Sequence, residues 1–389
     1  MIDYSKILSD TVVGIKPSGI RKFFDIAATM DDVISLGVGE PDFQTPWSVR
    51  KAGITSLEKG KTKYTSNSGL EKLRQEISNY IDRKYGVSYD ASHEVLVSVG
   101  GSEAIDATLR AVITPGDEVI IPQPSYVCYE PITKLCGGVP VIIETLAEND
   151  FKVTTEQLKN AISDKTKALI LPYPCNPTGA IMERADLQAL AEVLRDTNIL
   201  VISDEIYSEL TFSDKPHVSI ASIDGMRERT VMINGFSKTF SMTGWRLGFA
   251  CGPQQIISQL TKIHQFAIMC APTMSQYAAI EALRGCDEAV AQMKAEYNRR
   301  RRLMVDGFNK AGLACREPKG AFYAFPCIKS TGLTSDEFCE KLLEKKHVAV
   351  VPGTAFGKGG EGFVRASYCY SPEHIIEAIR RIEEFVKEI

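Results

Sequence analysis

The segment spanning residues 234–248 contains the side chains of this sequence that are best suited to covalent chemistry. Its one lysine, Lys238, lies among small, hydroxyl-bearing and apolar residues, and the next cation along the chain is Arg246. Burial and a neighbouring positive charge both disfavour the ammonium form of a lysine. A neutral amine can attack a carbonyl carbon. The pattern predicts a nucleophilic lysine, although a lone lysine in a glycine-containing loop can also be an ordinary surface residue.

The same segment contains groups that could bind a phosphate. The guanidinium of Arg246 would supply a fixed positive charge, and Ser237 offers hydroxyl and backbone donors. A reactive lysine beside a phosphate clamp suggests pyridoxal phosphate as the cofactor.

Polar side chains also follow predicted strands. Asp204 comes directly after the apolar run 199–203, where an unpaired carboxylate would be costly, and a protonated pyridine nitrogen would suit it as a partner. Tyr207 and Asn176 could donate to the phenolic oxygen of the same ligand. Each residue has a structural alternative: a helix cap for Asp204, a packed ring for Tyr207 and an Asx-turn for Asn176.

Two glycine-containing turns could bind an anion. Gly101 and Ser102 stand between the predicted strand 95–99 and a helix, so the free N–H groups of the helix start could hold a phosphate. Gly39 follows the short apolar run 33–36 in a similar way. A simple N-cap and a plain turn are the alternatives.

Taken in order along the chain, these residues resemble the class I and II aminotransferases, which are fold-type-I pyridoxal phosphate enzymes. The resemblance covers nearly the whole chain and departs from the pattern at Gly235, where some relatives have a phosphate-binding serine. The matching positions are Gly39, Tyr64, Gly101, Ser102, Tyr126, Asn176, Asp204, Tyr207, Ser237, Lys238, Arg246 and Arg365.

The resemblance implies a role for each matching residue. Lys238 would be the catalytic residue that holds the cofactor as a Schiff base, Asp204 would pair with the ring nitrogen, and Asn176 and Tyr207 would bind the ring oxygen. The remaining roles are phosphate binding by Gly101, Ser102, Ser237 and Arg246, ring stacking by Tyr126, substrate binding by Gly39, Asn176 and Arg365, and, in a homodimer, contact of Tyr64 with the phosphate in the other subunit.

The order of apolar runs and helical stretches predicts an α/β fold with a mainly parallel central sheet, in which ligands bind beyond the carboxyl ends of the strands. We expect an N-terminal segment (1–45) that joins a small domain and covers the active site, a large cofactor-binding domain (46–285) and a small C-terminal α+β domain (286–389). The arginine run 299–302 is expected to form a solvated helix face.

Composition narrows the classes of partner. The 389 residues carry 45 basic and 49 acidic side chains, which gives no electrostatic reason to expect nucleic acid or a membrane as partner. The ten cysteines include no Cys-x-x-Cys pair, so neither a metal site nor a dithiol site is predicted. Reduced thiols and the lack of a signal-peptide pattern favour a cytoplasmic protein.

The predicted reaction is a ping-pong transfer of an amino group from an L-amino acid to a 2-oxo acid such as 2-oxoglutarate, through Lys238. Residues 265–274, which resemble the region that binds a distal carboxylate in dicarboxylate-specific relatives, contain no cation. Together with the opening motif 18–23, this favours the aromatic or broad-range branch, with aspartate and N-acetyl-diaminopimelate left open. The alternatives are a carbon–sulfur β-lyase and a non-catalytic ligand-sensing domain, which would be expected to carry a DNA-binding segment before the matching region.

Overall fold

The computed structural model describes residues 2–17, 19, 30 and 32–389. The opening motif 18–23 lies almost entirely outside these described residues.

The first part of the chain forms helices that flank a very short strand. Its elements are α1 (Asp10–Gly14), β1 (Ile34–Ser35), α2 (Trp47–Glu58) and α3 (Glu71–Tyr85). In α3 the apolar residues Leu73, Ile77 and Ile81 share one face and are all buried. The helix ends at Gly86, which adopts the left-handed conformation with φ 67°.

A seven-stranded sheet forms the centre of the molecule, with the strand order β2-β8-β7-β6-β5-β3-β4. The strand β8 is antiparallel to both of its neighbours, whereas the other pairs are parallel. The strands are β2 (Val95–Ser98), β3 (Glu118–Gln123), β4 (Val139–Glu144), β5 (Thr166–Leu171), β6 (Leu200–Asp204), β7 (Thr230–Gly235) and β8 (Gly248–Cys251). The mainly parallel α/β fold predicted from the sequence is confirmed.

Both faces of this sheet are buried, which explains why its strands are almost uninterruptedly apolar. Successive residues point to opposite faces, so Leu169 and Val201 belong to one core cluster while Ile170 and Ile202 belong to another. The helices that follow the sheet strands are α4 (Gly101–Val112), α5 (Tyr129–Leu135), α6 (Thr155–Ala161), α7 (Arg184–Leu194), α8 (Gln254–Ala267) and α9 (Thr273–Gly285).

The last part of the chain forms smaller sheets under long helices. Its elements are α10 (Asp287–Lys310), β9 (Tyr323–Ala324), α11 (Ser335–Lys346), β10 (Val348–Ala349), β11 (Val351–Pro352), β12 (Val364–Ser367) and α12 (Pro372–Lys387). Strands β11, β12 and β9 form an antiparallel sheet, and β10 pairs in parallel with β1 from the N-terminal segment. The domain boundaries at residues 45/46 and 285/286 stay a prediction.

The arginine run on α10 corrects one expectation. Arg300 and Arg301 are 7% and 4% exposed, so the prediction of a solvated face is wrong for these two residues. Arg300 donates to Asp42 Oδ2 at 2.7 Å and to Glu296 Oε1 at 2.8 Å. Consecutive helix residues point in different directions, and an acid from the N-terminal segment neutralises the buried guanidinium. Only tertiary packing brings that acid there.

Within the described ranges, no helix is both long and apolar enough to cross a membrane. The same residues contain no group of three or more His, Cys, Asp and Glu side chains that could hold a metal ion.

Candidate active site

A cavity of about 380 Å³ lies beyond the carboxyl ends of the parallel strands, within the range of about 300–1,000 Å³ usual for small-molecule sites. The predicted site residues that line it are Gly39, Gly101, Ser102, Tyr126, Asn176, Asp204, Tyr207, Ser237, Lys238, Arg246 and Arg365. Tyr64 is not part of this lining, and its side chain is 82% exposed.

Lys238 follows β7 and points its amine into the cavity. Its Nζ donates to the carbonyl oxygen of Gly39 at 2.6 Å and lies 5.6 Å from the centre of the Phe322 ring. Burial lowers the pKa of Lys238 to about 8, and the positive charges of Arg365 and Arg246 act in the same direction. At pH 7 about a tenth of such an amine is neutral, compared with well under about a thousandth at the ordinary lysine pKa.

Asp204, the last residue of β6, is buried beside the cavity without a cationic partner among the described residues. The hydroxyl of Tyr129 donates to its Oδ2 at 2.7 Å, and the N–H of Ile206 donates to its Oδ1 at 3.2 Å. Burial raises the pKa of Asp204, and these hydrogen bonds oppose the rise. A cation that entered the cavity here would stabilise the carboxylate.

An anion-binding corner forms where α4 begins. Gly100, with φ 85°, precedes the helix, and a Cβ at this position would lie 2.8 Å from Nη2 of Arg246. Glycine therefore lets the guanidinium lie against the start of α4. Ser102 in the first turn of α4 and Ser237 beside Lys238 line the same cavity. Free N–H groups, hydroxyls and a guanidinium together suit a phosphate.

Arg365 on β12 forms the opposite end of the cavity and is 2% exposed. Its guanidinium carbon lies over the rings of Tyr323 and Phe356, at 4.4 and 4.8 Å from their centres. Its Nη1 donates to Asn176 Oδ1 at 2.8 Å, and its Nη2 donates to the carbonyl oxygen of Gly37 at 2.5 Å. The buried Nε has no hydrogen-bond partner among the described residues, and each Nη has a second N–H besides the one named. The guanidinium therefore has donors left for a carboxylate.

Two predicted aromatic residues complete the wall between these ends. The hydroxyl of Tyr207 lies 2.9 Å from that of Tyr323, and both side chains are buried. The ring of Tyr126 packs edge-on against that of Tyr129 at 5.9 Å.

The sequence did not identify Tyr129, Tyr323 or Phe356 as site residues. Tyr129 begins α5 shortly after β3, so the rule that ligands bind at strand ends could have pointed to it. Tyr323 and Phe356 come from another sheet region, and no local pattern marks their contact with Arg365.

The sequence profile of the family described as Aminotransferase class I and II matches residues 31–382. An aspartate aminotransferase of Pyrococcus abyssi is 47% identical over 385 residues, covering 98% of each chain. An aromatic-amino-acid aminotransferase of Thermococcus litoralis is 42% identical over 385 residues, again covering 98% of each chain.

A solved structure extends the comparison to three dimensions. The aromatic aminotransferase from Pyrococcus horikoshii has a TM-score of 0.90 and 45% identity, with coverage of 94% of this chain and 99% of the other. These findings confirm the family, the fold class and the type of enzyme predicted from the sequence. The chain belongs to the class I and II aminotransferases, a family that depends on pyridoxal phosphate.

Proposed function

We propose that this enzyme transfers the amino group of an aromatic or other L-amino acid to a 2-oxo acid such as 2-oxoglutarate, in a ping-pong reaction through Lys238. The observation that carries the proposal is one cavity with three chemical features. It contains a lysine amine of lowered pKa, a buried carboxylate that lacks a cation, and a buried guanidinium whose N–H donors are only partly used within the protein.

The residues of the cavity fit pyridoxal phosphate. The α4 corner, with Gly101, Ser102, Ser237 and Arg246, suits the phosphate group. When bound, the cofactor supplies an aldehyde that reacts with amines and a ring that takes up the negative charge left on the substrate Cα.

The remaining proposed cofactor contacts use polar atoms whose hydrogen-bonding capacity is not filled within the protein. Asp204 would hold a proton on the ring nitrogen, because an ionised carboxylate buried at this point needs a positive partner. Since Asn176 Oδ1 already accepts from Arg365, its Nδ2 is the amide atom available to donate to the phenolic oxygen. The hydroxyl of Tyr207 would donate there as well, and Tyr126 would stack on the ring.

Lys238 would move the proton. Its neutral Nζ would accept a proton from the substrate Cα and deliver it to the carbonyl carbon of the cofactor, which is efficient because a pKa of about 8 lies near the working pH. Arg365 would bind the substrate α-carboxylate, and Gly39 would keep backbone close to the substrate. These contacts orient the Cα–H bond toward Lys238.

The choice of amino donor rests on the cations of the cavity. Lys238, Arg246 and Arg365 are the lysines and arginines among the described lining residues, and each already has a role in the proposal. No cation of this lining is then left for a distal carboxylate, which favours an aromatic or broad-range donor. Aspartate and N-acetyl-diaminopimelate belong in the same assay, because one of the relatives described above is an aspartate aminotransferase.

We also propose a homodimer in which Tyr64 reaches the phosphate site of the other subunit. Tyr64 is 82% exposed in the single chain. Two other large aromatic residues, Trp47 and Phe266, are 61% and 89% exposed and could be covered by the other subunit. Light scattering would give the mass of the particle, and a Tyr64→Phe variant should bind pyridoxal phosphate more weakly. The cytoplasmic location stays a prediction.

Borohydride reduction of the protein loaded with pyridoxal phosphate, followed by peptide mass analysis, tests the central claim. The label should lie on Lys238, and Lys238→Ala should lose the label, the visible absorbance and the activity. Lys294→Ala is the matched control, because Lys294 is also a partly buried lysine whose pKa is lowered by burial, but it does not line the cavity. A label on another side chain, or normal turnover by Lys238→Ala, would refute the proposal.

A screen of amino donors with 2-oxoglutarate would then identify the substrate. Release of pyruvate and ammonia without a 2-oxo acid acceptor would instead indicate the β-lyase, and binding without any turnover would indicate a ligand sensor.

A further inference from the structure

Tyr323 contacts both ends of the cavity, although the reaction itself assigns it no role. We propose that Tyr323 is a positioning residue: its ring supports the guanidinium of Arg365, and its hydroxyl donates to Tyr207, so that it couples the carboxylate-binding end to the cofactor-binding end. This inference rests on the proposed function, because it concerns residues assigned there to the substrate and the cofactor.

The ring of Tyr323 contacts the guanidinium of Arg365 closely, and the contact is shielded from solvent. Tyr323 is 1% exposed, and its ring centre lies 4.4 Å from the guanidinium carbon of Arg365. The ring centre of Phe356 lies 4.8 Å from the same guanidinium carbon. Two ring contacts away from water, together with the hydrogen bonds to Asn176 and Gly37, hold the guanidinium in one position.

The hydroxyl contact has a direction that follows from proton counting. The oxygens of Tyr323 and Tyr207 are 2.9 Å apart, and each hydroxyl has one proton to donate. If Tyr207 donates to the phenolic oxygen of the cofactor, Tyr323 must be the donor between the two. Burial raises the pKa of Tyr323 to about 12, so the hydroxyl keeps this proton at neutral pH.

The same hydroxyl also packs against the segment that binds Lys238. A Cβ placed on Gly39 would lie 2.1 Å from the Tyr323 oxygen, so glycine is needed where the two meet. The carbonyl oxygen of Gly39 accepts the hydrogen bond from Lys238 at 2.6 Å. Tyr323 therefore contacts the Arg365 guanidinium, the Tyr207 hydroxyl and Gly39, whose relative positions matter for the proposed reaction.

Two substitutions separate the ring from the hydroxyl. Tyr323→Phe removes the hydroxyl and keeps the ring, whereas Tyr323→Leu removes both. Tyr368→Phe is the matched control, because Tyr368 is also fully buried and donates to a backbone oxygen, that of Ala321 at 3.2 Å, but it does not line the cavity.

Each variant, loaded with pyridoxal phosphate, would be titrated by its visible absorbance, and KM and kcat would be measured. Without the donated bond, Tyr207 becomes a weaker donor and the anionic phenolic oxygen is less stabilised. The pKa seen by absorbance should therefore rise by about half a unit in Tyr323→Phe. The KM for the amino donor should stay within about twofold, because the ring remains over Arg365. In Tyr323→Leu the same shift should appear with a KM that is about 3–30-fold higher.

Tyr368→Phe should change neither quantity, even if its melting temperature falls. An absorbance titration of Tyr323→Phe that matches those of the wild type and Tyr368→Phe would overturn the inference, and this variant keeps the core volume even if the leucine variant does not fold. Absence of a cofactor band in the wild type would overturn the proposed function and the inference with it, so the two failures can be told apart.

Discussion

Asp204 and Glu205 are neighbours in the chain, yet their carboxylates have opposite surroundings. Asp204 faces the cavity of about 380 Å³, and its protein partners are the Tyr129 hydroxyl and a backbone N–H. Glu205 is 1% exposed, beside a space of only about 10 Å³. Its Oε1 accepts from Ser203 at 2.8 Å and from Ser219 at 2.7 Å, and its Oε2 accepts from His217 at 2.7 Å.

The difference in hydrogen-bond partners distinguishes a structural carboxylate, Glu205, from a carboxylate that is suited to bind a ligand, Asp204. Burial of a carboxylate is tolerated when hydrogen bonds and a basic partner compensate for the lost water, which is the case for Glu205. Asp204 has two donors and no basic side chain among its described contacts, and its pKa is raised by burial. Burial alone therefore does not identify a functional acid. Burial beside a cavity, without a cationic partner in the protein, does identify one.

The comparison is tested most severely by Asp204→Asn. The loss of the charge that we propose to pair with the ring nitrogen should lower kcat/KM by about 10²–10⁴-fold, the cost of breaking a buried ion pair. The cofactor-free protein should not become less stable, because a raised carboxyl pKa means that ionised Asp204 opposes folding at neutral pH. Steady-state kinetics and thermal unfolding would check both statements.

Glu205→Gln should have the reverse effects. The amide turns an acceptor into a donor that faces other donors, so we expect a loss of about 1–3 kcal/mol in the free energy of unfolding. Because Glu205 does not line the main cavity, kcat should stay within about twofold of the wild type. Urea denaturation and kinetics would measure the two effects, and a fall in kcat/KM like that of Asp204→Asn would contradict the comparison.

Tyr129→Phe tests how much the hydrogen bond from Tyr129 contributes to the carboxylate of Asp204. It removes a 2.7 Å hydrogen bond to Asp204, so the pKa of this carboxyl should rise further and the affinity for pyridoxal phosphate should fall by about tenfold. Fluorescence titration of the cofactor would measure the change. An unaltered affinity would mean that the phenol only fills space.

The smallest expected effect is a pH-dependent change in the stability of the cofactor-free protein in Lys238→Met. The pKa of Lys238 is lowered from 10.5 to about 8, so below pH 8 the buried ammonium opposes folding, and this opposition fades as the pH rises from 8 to 10.5. The cofactor-free methionine variant should therefore be more stable than the wild type at pH 7, and its advantage should shrink by on the order of 1 kcal/mol by pH 9. Thermal unfolding of both proteins across this range would show a constant difference if the prediction is wrong.

Much of the cofactor-binding end could be predicted because its residues stand at the ends of locally recognisable strands. The apolar run before Asp204 and the glycines before α4 indicate their places without knowledge of distant residues. The carboxylate-binding end was accessible only in part. Arg365 came from the resemblance, but its contacts with the rings of Tyr323 and Phe356 depend on chain segments that meet only in the folded protein.

By itself, the sequence determined the α/β order of elements, the family and the positions of the reactive groups along the chain, because strand periodicity and turn chemistry are local. It also placed Asp204 and Glu205 in succession at the end of β6. Only the tertiary structure decided that Asp204 meets an open cavity while Glu205 meets His217, and that Arg300 is buried against Asp42. The physical reason is that the surroundings of a side chain depend on which distant segment packs over it, and no local pattern contains that information.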